Sequence, residues 1–152
     1  MALSRLTSAQ TAAINTLVAS RRLERVAPDP VRAASFLAQA SDAIADVGNL
    51  TRPQNAYNLA YDACHDVGEA MLAAYGFRTK GGAGQHDALI AFLRAVLDTP
   101  PGDAAAQRLD RLRRARNASR YEARTPGAGQ ARVASDTAID LFAAASARGV
   151  GT

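Results

Sequence analysis

The chain has 152 residues, 48% of them hydrophobic and only 5% aromatic, enough for one core filled by Ala, Leu and Val rather than by rings. A formal charge of +4, a pI near 9.8 and a single cysteine, Cys64, favour an anionic partner, exclude an internal disulfide and fit a reducing cytoplasm. No apolar run is long enough to span a bilayer and the start MALSRLTSAQ lacks the apolar core of a secretory leader, so one soluble domain over residues 1–152, with no membrane partner, is expected.

Thr7-Ser8-Ala9-Gln10 forms a capping box that opens a first helix, with Ala13 and Leu17 and their neighbours Ile14 and Val18 facing inward, running to about Val26 and ending before Pro28. Asp29-Pro30 starts a second helix, cap then proline, whose inward row is Val31, Ala34, Leu37, Ser41 and Ile44; Gly48 closes it after Val47. Thr51-Arg52-Pro53-Gln54 opens the third and most strongly patterned helix. Tyr57, Ala60, Tyr61, Cys64, Val67, Gly68, Met71, Leu72 and Tyr75 share one side, and Asn58, Asp62, His65 and Glu69 the other. That second set reads as a solvated face rather than a metal site, because no second histidine stands one turn away, and Cys64 reads as a small buried hydrophobe.

Gly76 to Gly84 is glycine-rich and holds Arg78 and Lys80, but no strand precedes it and Gly-Lys-Ser/Thr is absent, so a mobile connector is expected instead of a phosphate loop. Gln85-His86-Asp87 begins a fourth helix with Leu89, Ile90, Leu93 and Val96 inward. A final helix, about Gln130 to Arg148, follows the break Thr125-Pro126-Gly127-Ala128-Gly129, and residues 149–152 are expected to fray. No repeat and no strand pattern stands out. The expected fold is all-α, a single up-and-down bundle of five to six helices.

Between these lies DAAAQRLDRLRRARNASRYEAR, Asp103 to Arg124, with seven of the seventeen arginines: Arg108, Arg111, Arg113, Arg114, Arg116, Arg120 and Arg124. Asp103 follows Thr99-Pro100-Pro101-Gly102 and reads as the helix cap. Ala105, Leu109 and Leu112 recur at helical spacing, and the next positions of that series are Arg116 and Ser119. An apolar stripe that turns into arginine without ending puts a guanidinium at a cleft or an interface, unless it snorkels to the rim.

Arg116-Asn117 followed after three residues by Tyr121 resembles the signature of the HEPN superfamily, small helical domains whose motif is Arg, a polar residue and a His about four to six places after the Arg. NAYNLAYDACHDVGEAMLAAYGFR and the helix opening QHDALIAFL resemble the family's preceding helices, so the likeness covers roughly Asn55 to Ala145. It implies a homodimer with the motifs facing a shared cleft that binds or cuts RNA, no cofactor or metal, and in many members a toxin paired with an antitoxin protein or a phage-defence role. By that likeness Arg116, Asn117 and Tyr121 are the catalytic candidates, and Asn58, like Asn55, a pocket-lining one. Arg113, Arg114 and Arg120 are candidates for holding RNA phosphate.

The motif histidine is missing. Tyr121 stands in its place with Arg116 as anchor; with Arg114 as anchor Ser119 takes the His position and Tyr121 the terminal Tyr of a longer variant. A phenol with a pKa of about 10 is a poor base where an imidazole is a ready one. Arg116 and Tyr121 are also about 140° apart around an ideal helix. His86 and Ser119 are therefore accessory candidates, and two readings stand side by side: a metal-independent endoribonuclease, or a non-catalytic module binding nucleotide, RNA or a partner protein through the arginine helix.

Overall fold

The computed structural model describes residues 1–152 as an all-helical bundle: α1 (Ser8–Ala19), α2 (Pro30–Val47), α3 (Pro53–Tyr75), α4 (Gln85–Val96), α5 (Gly102–Tyr121) and α6 (Ala128–Ala147). No helix is long and apolar enough to cross a membrane. Helix α3 is the post around which α2, α4, α5 and α6 pack. It is buried almost all round, with Ala63, Ala70 and Ala73 covered as well as the expected face, because α2 and α6 close on its alanine side. Small side chains let the backbones approach. A Cβ on Gly68 would lie 2.8 Å from Leu89 Cγ, so this glycine sets the spacing between α3 and α4.

Local signals place the helix starts. Thr7 and Gln10 form the capping box, and Asp29 accepts from Arg32 N at 2.9 Å ahead of Pro30. Helix α5 begins two residues earlier than expected, at Gly102 after Pro101, so Asp103 sits inside the first turn and accepts from Ala104 N at 2.7 Å instead of capping. In α2 the covered row is Ala33, Leu37, Ala40 and Val47, whereas Val31 is 78% exposed and lies off the stripe that faces α3.

Three expectations are corrected. Helix α1 stops at Ala19, not near Val26, and the chain reverses through Arg21, whose φ of 61° is left-handed. Leu23–Arg25 then forms a strand, β1, paired antiparallel with β2, Phe77–Thr79, in the register Leu23↔Thr79, Glu24↔Arg78 and Arg25↔Phe77. The glycine-rich connector is thus ordered in its first half. Leu23 and Phe77 bury into the core, and Arg78 donates to Glu24 across the pair at 2.8 Å. Gly76 turns the chain from α3 into β2 at φ 81°, where a Cβ would lie 2.8 Å from the Val26 carbonyl.

The C-terminal residues are packed, not frayed. Val150 is 1% exposed, Ser4 N donates to Arg148 O at 2.8 Å, and Thr152 Oγ1 donates to Met1 O at 2.6 Å. The Tyr75 hydroxyl joins both ends, donating to Ser4 O at 2.8 Å and accepting from Arg148 Nε at 2.9 Å. Cys64 is fully buried on α3, and burial pushes its thiol far above the usual range, as a packing residue requires.

Candidate functional site

The arginines of α5 divide into two groups. In its first turns Ala105, Ala106, Leu109 and Leu112 face the core, which carries the intervening Asp110 down to 7% exposure. A carboxylate so placed needs cations. Arg113 donates to it at 3.2 Å and Arg114 at 2.6 Å, Arg94 of α4 stands at 3.9 Å, and Arg113 also reaches Asp87 at 3.4 Å. Arg108 donates to Thr137 Oγ1 at 3.1 Å and pairs with Asp140, fastening α5 to α6. Arg113 and Arg114 are thus paired with acids of the bundle, Arg113 largely buried and Arg114 with its side chain still 68% exposed.

Past Leu112 the helix leaves the core. The Tyr57 hydroxyl donates to Leu112 O at 2.8 Å and pins α3 to α5 there. One turn on, the Arg116 guanidinium carbon lies 4.7 Å from the centre of the Tyr61 ring, a cation–π contact, and its Nε is buried with no hydrogen-bond partner. The stripe that turns from leucine to arginine thus opens onto a cleft of about 90 Å³ between α3 and α5, and Arg116 does not snorkel into open solvent. Gln54, Tyr57 and Asn58 of α3 form one wall; Arg116, Ser119 and Arg120 form the other, with Arg124 and Gln130 beyond the end of the helix. No carboxylate lines this cleft, and Arg116 and Arg120 have none within ion-pair distance; Arg124 pairs with Glu122.

A larger cleft of about 440 Å³ lies by the sheet, but Asp29 and Glu69 line it, Arg78 is already paired with Glu24, and Arg32 stacks on Phe36 at 4.8 Å. Mixed charge makes it a poorer place for a polyanion than the arginine cleft.

The string Arg116-Asn117-x3-Tyr121 does not come together. Tyr121 is 95% exposed at the end of α5, Asn117 is exposed, and neither lines the cleft. Helical rotation is the reason, since Tyr121 is turned by about 140° from Arg116. Ser119, Arg120 and Asn58 do line the cleft; Asn55 does not.

The histidines are where sequence reasoning fell short. His65 is half-buried and is not on a solvated face: its ring centre lies 4.6 Å from that of His86. His86, at the exposed start of α4, stacks on Tyr61 at 6.1 Å between ring centres, with Nδ1 3.3 Å from the Tyr61 hydroxyl. Both histidines of the chain thus gather at the ring that carries Arg116. The stripe Gln54, Tyr57/Asn58, Tyr61, His65 at turn spacing along α3 signals half of this; the approach of α4 supplies the rest. Burial first, then His86 and Arg116, lower His65 to about 4, and burial with the Arg116 charge lowers His86 as well. Burial raises Tyr61 to about 12. At neutral pH the cluster therefore holds two neutral imidazoles, a protonated phenol and one cation. Asp62, His65 and Glu69 do not converge on a common ligand position.

Set against protein-family models, curated proteins and solved structures, the chain matches none. The resemblance to the HEPN superfamily rests on the arginine motif and the order of the helices.

Proposed function

We propose that the chain is a HEPN-like RNA-binding protein of the cytoplasm, with Arg116, Arg120 and Arg124 holding the phosphodiester backbone of a single strand in the cleft between α3 and α5. The observation that carries this reading is a guanidinium inserted where the core stripe should continue, stacked on Tyr61, with no carboxylate to neutralise it. An external anion supplies the missing partner. RNA fits better than an acidic peptide because Gln54, Asn58, Ser119 and Gln130 add amides and a hydroxyl that suit base edges and the 2′-hydroxyl. In this reading two copies pair through their arginine helices, and an antitoxin protein would act by covering the cleft.

Fluorescence anisotropy with a labelled single-stranded oligoribonucleotide tests it. Arg116→Ala lowers affinity by about tenfold or more, the loss of one charge-assisted contact of roughly 1.5–3 kcal/mol. Tyr121→Ala, at an exposed position outside the cleft, leaves affinity unchanged. Equal affinity of wild type and Arg116→Ala, or equal competition by a polyglutamate peptide of the same charge, removes the RNA reading.

A further inference from the structure

We infer a second binding site, for an apolar α-amino acid, in the cleft of about 440 Å³ beside the sheet, with Glu69 taking the ammonium and Arg32 the carboxylate. It stands apart from the RNA reading, since it shares no residue with the arginine cleft.

The geometry behind it is a pair of opposite charges that line one cleft without meeting. Glu69 of α3 is half-buried and forms no ion pair, and Arg32 of α2 has no carboxylate within ion-pair distance. They are near enough to feel each other: burial raises the Glu69 carboxyl above its usual range, and the Arg32 charge opposes that rise. A carboxylate drawn part-way out of water with no cation against it is unfavourable until something supplies one. The other two charged residues of the cleft are already engaged. Asp29 Oδ1 accepts from Arg32 N at the head of α2, and Arg78 pairs with Glu24 across the strands. The Arg32 guanidinium lies over the Phe36 ring at 4.8 Å, a contact that uses its face and leaves the N–H groups of its edge to a ligand.

Val26, Ala27, Ala73 and Phe77 make the rest of the wall apolar. One carboxylate, one guanidinium and a greasy wall match the three parts of an apolar α-amino acid. Its ammonium offers three donors to Glu69, and its carboxylate accepts from the fork of Arg32. Glu69 repels a polyanion, and a simple amine or a simple acid leaves one of the two charges unmatched. The cleft is also of the size of a small-molecule site. Its sides are tied together in advance, because Val26 N donates to Gly76 O at 3.0 Å and Asp29 N to Ala73 O at 2.9 Å.

Chemical-shift titration of the isotope-labelled full chain tests the site, with leucine, N-acetylleucine, leucinamide and the dipeptide leucyl-leucine as probes. Leucine is expected to bind with a Kd of about 1 mM or tighter and to shift the amides of Ala27, Ala73 and Phe77. N-acetylleucine and leucinamide each bind at least about tenfold more weakly, since each lacks one charge-assisted contact. Glu69→Gln weakens leucine by about tenfold without weakening N-acetylleucine, and Arg32→Ala weakens leucine by about tenfold without weakening leucinamide. A general disturbance of the fold would not produce that pairing of variant with ligand, and the ligand series on the wild type needs neither variant to fold. No shift with leucine at millimolar concentration, or equal affinity for leucine and either derivative, overturns the site. Unchanged leucine affinity in both variants overturns the roles of Glu69 and Arg32, and tighter binding of leucyl-leucine than of leucine overturns the free amino acid in favour of a peptide.

Discussion

Replacing Asp110 by Asn keeps the shape of the side chain and removes the carboxylate beneath Arg94, Arg113 and Arg114. Its cost follows from how much water each pair sees. Arg113 and Asp110 have side chains 20% and 10% exposed, so this is a largely buried pair, of the kind whose disruption costs about 3–5 kcal/mol when nothing else compensates. Here Asp87 remains 3.4 Å from Arg113 and lowers that figure. Arg114 and Arg94, 68% and 52% exposed, add at most about 1 kcal/mol each. The total comes to about 3 kcal/mol, a drop in Tm of about 6–12 °C for a chain of this size. Urea titration followed by far-ultraviolet circular dichroism reads it as a lower midpoint at unchanged slope. Binding moves the other way: one net positive charge is added to the arginine helix, and RNA affinity rises by about threefold to tenfold at low salt, the gain shrinking as salt is added. An unchanged midpoint would mean that Asp110 is not the anchor of α5. A fall in affinity would mean that Arg113 and Arg114 act in recognition through their present orientation, which contradicts the division of the arginines drawn from the structure.

Two neighbours on α3 give opposed pH dependences. Burial and the nearby Asp62 and Glu69 raise Asp66 to about 6, so the folded state holds its proton more tightly and stability falls as pH rises from about 4 to about 6. His65 is lowered to about 4 by burial, His86 and Arg116, so the unfolded state binds more protons over about pH 4–6.5 and stability rises across that window. Both groups keep partial exposure, which limits each contribution to about 1–2 kcal/mol. The wild type is therefore nearly flat between about pH 4 and 6, Asp66→Asn makes its stability climb with pH, and His65→Gln makes it decline; parallel curves for all three refute the assignment. Gly68→Ala drives a methyl into Leu89 and costs about 1–3 kcal/mol by overpacking, read as a lowered urea midpoint, and Gly68→Ala combined with Leu89→Ala recovers part of it.

What could be read from the sequence is what neighbours in the chain decide. Thr7 and Gln10, Asp29 with Pro30, and the break at Thr125-Pro126-Gly127 set helix ends by contacts a few residues long, and they hold. The three-residue strands Leu23–Arg25 and Phe77–Thr79 are too short to show alternation, and each exists only because the other lies beside it from far along the chain. Arg113 and Arg114 look free in sequence because one of their acids, Asp87, comes from another helix and the other, Asp110, gives no sign that it points inward. That the motif string does not converge within one chain was legible: five steps of a straight helix cannot bring Arg116 and Tyr121 to one point. The turn from Leu112 to Arg116 on one face was legible too. Whether that turn makes a cleft or a rim depends on Tyr57 and Tyr61, one fixing the α5 backbone and the other receiving the guanidinium, and both belong to a helix that begins about fifty residues earlier. A local pattern can announce that a stripe changes chemistry; only the facing helix decides what the new side chain meets, and here it meets an aromatic ring on which His86 also stacks, with His65 against His86.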